Sequence, residues 1–110
     1  MKIHLTARHF RAPKLLQDFV YEKIAKLERF YERIVSCNVI LTNEKNSKNL
    51  KKVEINVRVY RSTLTSVVWS DDFSKGIVAA VEKLERQLKR YKSKLRERHK
   101  MQKPRTALAA

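Results

Sequence analysis

Strict alternation opens the chain. Ile3, Leu5 and Ala7 point one way and Lys2, His4, Thr6 and Arg8 the other, the period-two pattern of a strand with one face buried. Pro13 then reads as the first position of a helix, where its missing N–H costs nothing. Apolar residues recur at three- and four-residue steps through Leu16, Phe19, Val20, Ile24, Leu27, Phe30, Tyr31 and Ile34, which predicts an amphipathic helix over 13–34. Ser36 to Lys45, with Cys37, Val39, Ile40 and Leu41, reads as a second strand, and Asn46-Ser47-Lys48-Asn49 as a polar turn. Residues 50–60 alternate most cleanly of all: Val53, Ile55, Val57 and Val59 against Lys52, Glu54, Asn56 and Arg58. A turn near Arg61-Ser62 leads to a fourth strand, Leu64 to Ser70. Its phase is open, because Val67 and Val68 are adjacent and Trp69 follows.

Asp71 and Asp72 suit a helix N-terminus. A second helix follows, with the stripe Ile77, Val81, Leu84, Leu88, Tyr91 and Leu95. Taken over 73–100 it spans about 40 Å, whereas a strand of seven to nine residues reaches only about 25–30 Å. The last turns therefore overhang the sheet. Residues 101–110, with Pro104, are expected to be a frayed, flexible basic tail beyond a single domain at 1–100.

The order β-α-β-β-β-α has an economical solution in the α+β class. It is a two-layer sandwich with a four-stranded mixed sheet, the first two strands parallel and the rest antiparallel, and both helices on one face.

Composition changes the picture at one point. Among 110 residues, 26 Lys and Arg oppose 11 Asp and Glu, a formal charge of +15. Residues 1–74 hold 14 basic and 8 acidic side chains, but residues 75–110 hold 12 and 3. Charge of this size and lopsidedness indicates a polyanionic partner met near the C-terminal helix. A hydrophobic content of 43% is enough for one core. There is no apolar leader and no run of about 18 apolar residues. The single cysteine, Cys37, excludes an internal disulfide. These features predict a soluble, cytoplasmic protein with no membrane partner.

On the second helix Lys83, Arg86, Arg90 and Lys94 fall on one flank, with Gln87 at its edge, while Glu82 and Glu85 lie on the other side. A solvated helix usually intersperses its signs. Lys26, Arg29 and Arg33 make a similar flank on the first helix. Lys23, within the apolar stripe, must extend its amine outward. Two such flanks facing a shared groove could grip a phosphate backbone. Catalytic alternatives fail on their residues. His4, His9 and His99 lack metal-ligand spacing, Asp71-Asp72 is explained by capping, and the lone Gly76 sits inside a helix, where close packing accounts for it. Cys37 on an alternating strand is a core residue. No enzyme activity, cofactor, metal or small-molecule substrate is expected.

Lys83-Leu-Glu-Arg-Gln-Leu-Lys-Arg-Tyr-Lys-Ser-Lys-Leu95, preceded by Asp72 and an Ala-containing run, resembles the closing helix of the bacterial ribosome hibernation-promoting factors. That family includes ribosome-associated inhibitor A and has also been labelled sigma-54 modulation protein. Lys23-Ile-Ala-Lys-Leu-Glu-Arg-Phe-Tyr-Glu-Arg-Ile34 is similar to the end of the family's first helix, and the resemblance covers residues 1–98. It implies a fold like double-stranded-RNA-binding domains. It also implies binding to the small ribosomal subunit near the decoding centre, with translation silenced in stationary phase or stress. Carried over residue by residue, the RNA-binding positions are Lys23, Lys26, Lys83, Arg86, Gln87, Lys89, Arg90 and Lys94. Ending at Ala110 without the long form's dimerisation domain, the chain resembles the short form, expected to be a monomer off the ribosome. It departs from the pattern at Ala12, where members often carry a capping Thr, at Ser74, where a second aromatic is usual, and in its basic tail. Two other readings make different predictions. A general RNA- or DNA-binding protein would accept any polyanion, and an interaction protein would use the stripe Ile77–Leu95 as a dimer seam with Trp69 as an exposed anchor.

Overall fold

The computed structural model describes residues 1–44 and 50–109, with 97–109 as backbone only. The elements are β1 (Lys2–Arg8), α1 (Lys14–Ala25) continued by a 3₁₀ turn (Lys26–Arg29), β2 (Ile34–Asn43), β3 (Lys51–Val59), β4 (Ser62–Ser70) and α2 (Phe73–Ala109). The expected turn at Asn46–Asn49, and Lys45 before it, lie outside the described residues. Just outside them, the Glu44 amide donates to the Leu50 carbonyl at 3.1 Å.

The sheet runs β1-β2-β3-β4. β1 lies parallel to β2, and the other pairs are antiparallel. Register puts the apolar alternations side by side, with Leu5 beside Val39 and Val39 beside Ile55. Cys37, Val39, Leu41, Val53, Ile55 and Val57 are fully buried, as are Val20, Ile24 and Leu27 from the first helix and Ile77, Leu84 and Leu88 from the second. These form one cluster, so both helices cover the same face of the sheet. Each such side chain stabilises the fold by about 1.5–3 kcal/mol through burial alone. The stripe proposed as a dimer seam is thus spent on the sheet. Only its far end, Leu95, is exposed.

Five boundaries differ from the sequence reading. The first helix stops short of residue 34: Phe30 and Tyr31 amides both donate to the Leu27 carbonyl at 3.0 and 3.3 Å, tightening the last turn. Ile34 instead begins β2 opposite Val59, ahead of a bulge. An apolar residue at 34 fits either period, and pairing with β3 decides between them. Pro13 precedes the first helical residue and, with φ −61° and ψ 154°, leaves α1 without a side-chain cap. β4 begins at Ser62, so the turn is the two-residue step Tyr60-Arg61. Its phase is settled: Val68 packs on the core, while Val67 and Trp69 face out on the uncovered side of the sheet. Helical backbone runs to Ala109, past the expected end near residue 100, and the segment carries strong helix formers on both sides of Pro104.

Asp72 caps α2 as expected, its Oδ2 accepting from the Lys75 amide at 3.4 Å. Gly76 lies against β3, where a Cβ would stand 2.8 Å from Val53 Cγ2. Cys37 is buried among aliphatic side chains, and loss of hydration pushes its thiol up from 9.0 to about 12. The neutral thiol is favoured in the folded state, so its contribution to stability is full below about pH 9 and is lost as pH rises from 9 towards 12. At pH 8 Cys37 should resist an aromatic disulfide reagent in the native protein and react at once in denaturant. Rapid reaction of the folded protein would contradict its burial.

Candidate nucleic-acid interface

At 100° per residue, with Ile77, Leu84 and Leu88 against the sheet, Arg86 lies on the crest of α2 directly away from the core. Lys83, Gln87, Arg90 and Lys94 lie down one side, and Glu82, Glu85 and Lys89 down the other. The contacts identify the two sides. Gln87 Nε2 donates to the Thr65 carbonyl at 3.0 Å. Gln87, Arg90 and Lys94 also line a cleft of about 680 Å³ against Tyr60 and Arg61 of the β3–β4 turn. On the opposite side the Lys89 amine sits 5.2 Å above the Phe30 ring, next to the 3₁₀ turn of the first helix. Towards the start of α2 that side forms a depression of about 380 Å³ lined by Phe19, Val78 and Glu82.

Two basic flanks therefore do not face one shared groove. Lys23, half-buried with its amine 5.3 Å from the Phe19 ring, Lys26, half-buried in the 3₁₀ turn, and Lys89 belong to the inter-helical side. Lys83, Gln87, Arg90 and Lys94 belong to the far side, and exposed Arg86 joins the two. The eight residues form a band across the helical layer. A helical wheel groups side chains by angle, but it cannot say which side of α2 meets α1. That depends on α2 lying over β3 and β4, and on the sheet order.

Among the described residues no carboxylate pairs with the band. Among the described residues the ion pairs are the Met1 amine with Glu28, Lys52 with Glu54 and Lys75 with Asp71, at 3.6, 4.0 and 3.9 Å. None uses any of the seven candidate cations. Glu82 and Glu85 stand four residues before Arg86 and Lys89, the favourable spacing, yet neither pair closes. The mutual repulsion of such a band is relieved by a polyanion.

From the sequence, Tyr60, like Trp69 and Phe10, reads as a strand aromatic that packs rather than stacks on a base, and Arg61 only as a turn residue; Tyr60 is instead 64% exposed. Arg61 adopts φ 63°, a conformation costing about 1–2 kcal/mol for a residue with a side chain. The signal available was an Arg where a two-residue hairpin turn ordinarily takes Gly or Asn. Trp69 is half exposed on the other face of the sheet, with the Lys52 amine 5.6 Å from its ring centroid, away from this band. Among the described residues no cluster of His, Cys, Asp or Glu is placed to hold a metal ion. No helix among them is long and apolar enough to cross a membrane.

Comparison with known proteins finds relatives over most of the chain. A ribosome hibernation promoting factor of Azotobacter vinelandii is 33% identical over 104 residues, covering 94% of each chain. The structure titled a ribosomal subunit interface protein from Coxiella burnetii superposes with a TM-score of 0.77 at 27% identity, over 84% of this chain and 99% of that one. The Protein Y N-terminal domain of Thermus thermophilus shares the fold, with a TM-score of 0.73 at 24% identity over 83% and 99% of the two chains. Residues 3–96 match the sequence profile of the family described as Sigma 54 modulation protein / S30EA ribosomal protein, and the chain, with its β-α-β-β-β-α sandwich and basic second helix, belongs to that family.

Proposed function

We propose that this protein is a ribosome hibernation factor. It seats on the small ribosomal subunit near the decoding centre, takes the space of messenger and transfer RNA, and thereby inhibits translation in stationary phase or stress. The observation that carries this reading is the band of seven cations without carboxylate partners among the described residues, in a chain whose relative from A. vinelandii is named for ribosome hibernation. Lys23, Lys26, Lys83, Arg86, Lys89, Arg90 and Lys94 contact phosphates, and Gln87 contributes its amide at the edge. Specificity comes from fitting the shape of the basic surface to folded RNA, since A-form helices hide their base edges in a narrow groove. The action is steric and makes or breaks no bond, so it calls for no cofactor, small-molecule substrate or membrane. The protein acts in the cytoplasm and is a monomer off the ribosome. Residues 1–100 carry the binding, and residues 101–110 extend it as a basic appendage.

Co-sedimentation with purified ribosomal subunits through a sucrose gradient at physiological salt tests this. The protein is expected to travel with the small subunit and to be displaced by messenger RNA with initiator transfer RNA. Equal, undisplaced binding to both subunits and to bare duplex would make it a general nucleic-acid-binding protein instead.

A further inference from the structure

We propose that the cleft between α2 and the β3–β4 turn receives a single nucleotide extruded from the bound RNA, its base stacking on Tyr60 and Arg61 and its phosphate held by Arg90 and Lys94. The inference rests on the RNA-binding reading above and adds a second kind of contact to it, a concave one. The exposed cations of the band can touch phosphates along a helix but do not by themselves enclose a base. The cleft can: its 680 Å³ lies within the roughly 300–1,000 Å³ of sites that take small organic groups. Among the described residues no Asp or Glu lines it, and three cations do.

Its aromatic wall is unusual in position. Tyr60 is 64% exposed in a protein whose other large side chains mostly pack inward. The Arg61 guanidinium lies over its ring, 5.2 Å from the centroid, so a planar cation and an aromatic ring stand against each other at the turn. Both kinds of plane stack on unpaired bases. The pair is held in place by its backbone. The Tyr91 hydroxyl donates to the Tyr60 carbonyl, and the Tyr91 ring meets Tyr31 edge-on at 5.5 Å between centroids. The Gln87 bond to Thr65 ties the opposite wall to β4. Arg61 is kept in the left-handed region, φ 63°, where Gly would be unstrained.

The chemistry recognised is that of a nucleoside monophosphate, and it could come from RNA or from a free nucleotide. The test titrates the full chain with an RNA stem bearing one bulged 2-aminopurine, with the same stem fully paired, and with AMP as competitor. We expect about tenfold tighter binding of the bulged stem, the effect of one base stacked on an aromatic ring, with the bulge fluorescence quenched on binding. Tyr60→Ala should erase that preference and leave affinity for the paired stem within about twofold, since the Tyr60 carbonyl that Tyr91 uses remains. Tyr60→Phe should keep the preference. Arg61→Gly should erase it while the melting temperature holds or rises, because Gly accepts the turn conformation.

Equal affinity for bulged and paired stems overturns the cleft assignment and leaves the RNA-binding reading standing. Failure to bind either stem or ribosomal subunits at physiological salt would overturn that reading itself. Micromolar AMP that saturates the protein and removes the bulge preference would overturn RNA as the source of the nucleotide. Indifference to millimolar AMP supports RNA.

Discussion

Replacing both Arg86 and Arg90 with glutamate is expected to abolish binding to the small ribosomal subunit, by about 100-fold or more at physiological salt. Arg86 stands on the crest of α2, and Arg90 one turn further on borders the cleft, both exposed and neither in an ion pair among the described residues. The change therefore removes two phosphate contacts and places two anions against the RNA, without disturbing the core. Stability should change by less than about 0.5 kcal/mol, as for exposed helix positions generally. Thermal denaturation checks the fold, and sucrose-gradient co-sedimentation reads the binding. The slope of log K against log salt should also become shallower by about two, one contact for each arginine. If the variant is folded and binds unchanged, the band on α2 is not the interface. If binding falls but the salt slope is unaltered, the two arginines act through something other than phosphate contact.

Gly76→Ala is expected to destabilise the protein by about 1–3 kcal/mol, although alanine is the better helix former by about 1 kcal/mol. The new methyl would stand 2.8 Å from Val53 Cγ2 and 3.4 Å from Ser70 Cβ. Val53 is fully buried in β3, and a β-branched side chain there cannot swing aside as a long flexible one could. α2 must lift or β3 must shift, and either opens the layer that Ile77, Ile55 and Leu84 fill. A loss near 2 kcal/mol lowers the melting temperature by about 10 °C in a domain of this size. Val53→Ala supplies the missing space, so Gly76→Ala should cost distinctly less in that background, a coupling that a double-mutant cycle reads directly. A rise in melting temperature on Gly76→Ala alone would mean that helix propensity outweighs the close approach.

Together the two substitutions separate what the chain uses to fold from what it presents to a partner. Gly76 and the stripe beneath it set how α2 lies on the sheet, and that seating aims Arg86 outward and Arg90 towards the turn. The cleft shows the same dependence. Gln87 was recognisable on the helix as the edge of a basic flank, but its partner, the Thr65 carbonyl, belongs to a strand 22 residues earlier.

The amino-acid sequence alone determined the element order, the inward faces of β1, β2 and β3, the capping aspartate of α2, the burial of Cys37, the close packing at Gly76 and the angular grouping of the basic residues. These are local properties. Side-chain period, cap chemistry and charge spacing act over a few residues and can be read without knowing what packs where. Only the tertiary structure decided that Ile34 starts a strand rather than ending a helix, since its apolar side chain satisfies both periods and the pairing with Val59 breaks the tie. It also decided which side of α2 faces α1, and so divided an expected shared groove between the two sides of α2. Finally, it brought Tyr60 and Arg61 against Arg90 and Lys94. Placement of this sort follows from sheet order, register and the seating of one layer on another, contacts between residues far apart in sequence whose energies no local pattern records.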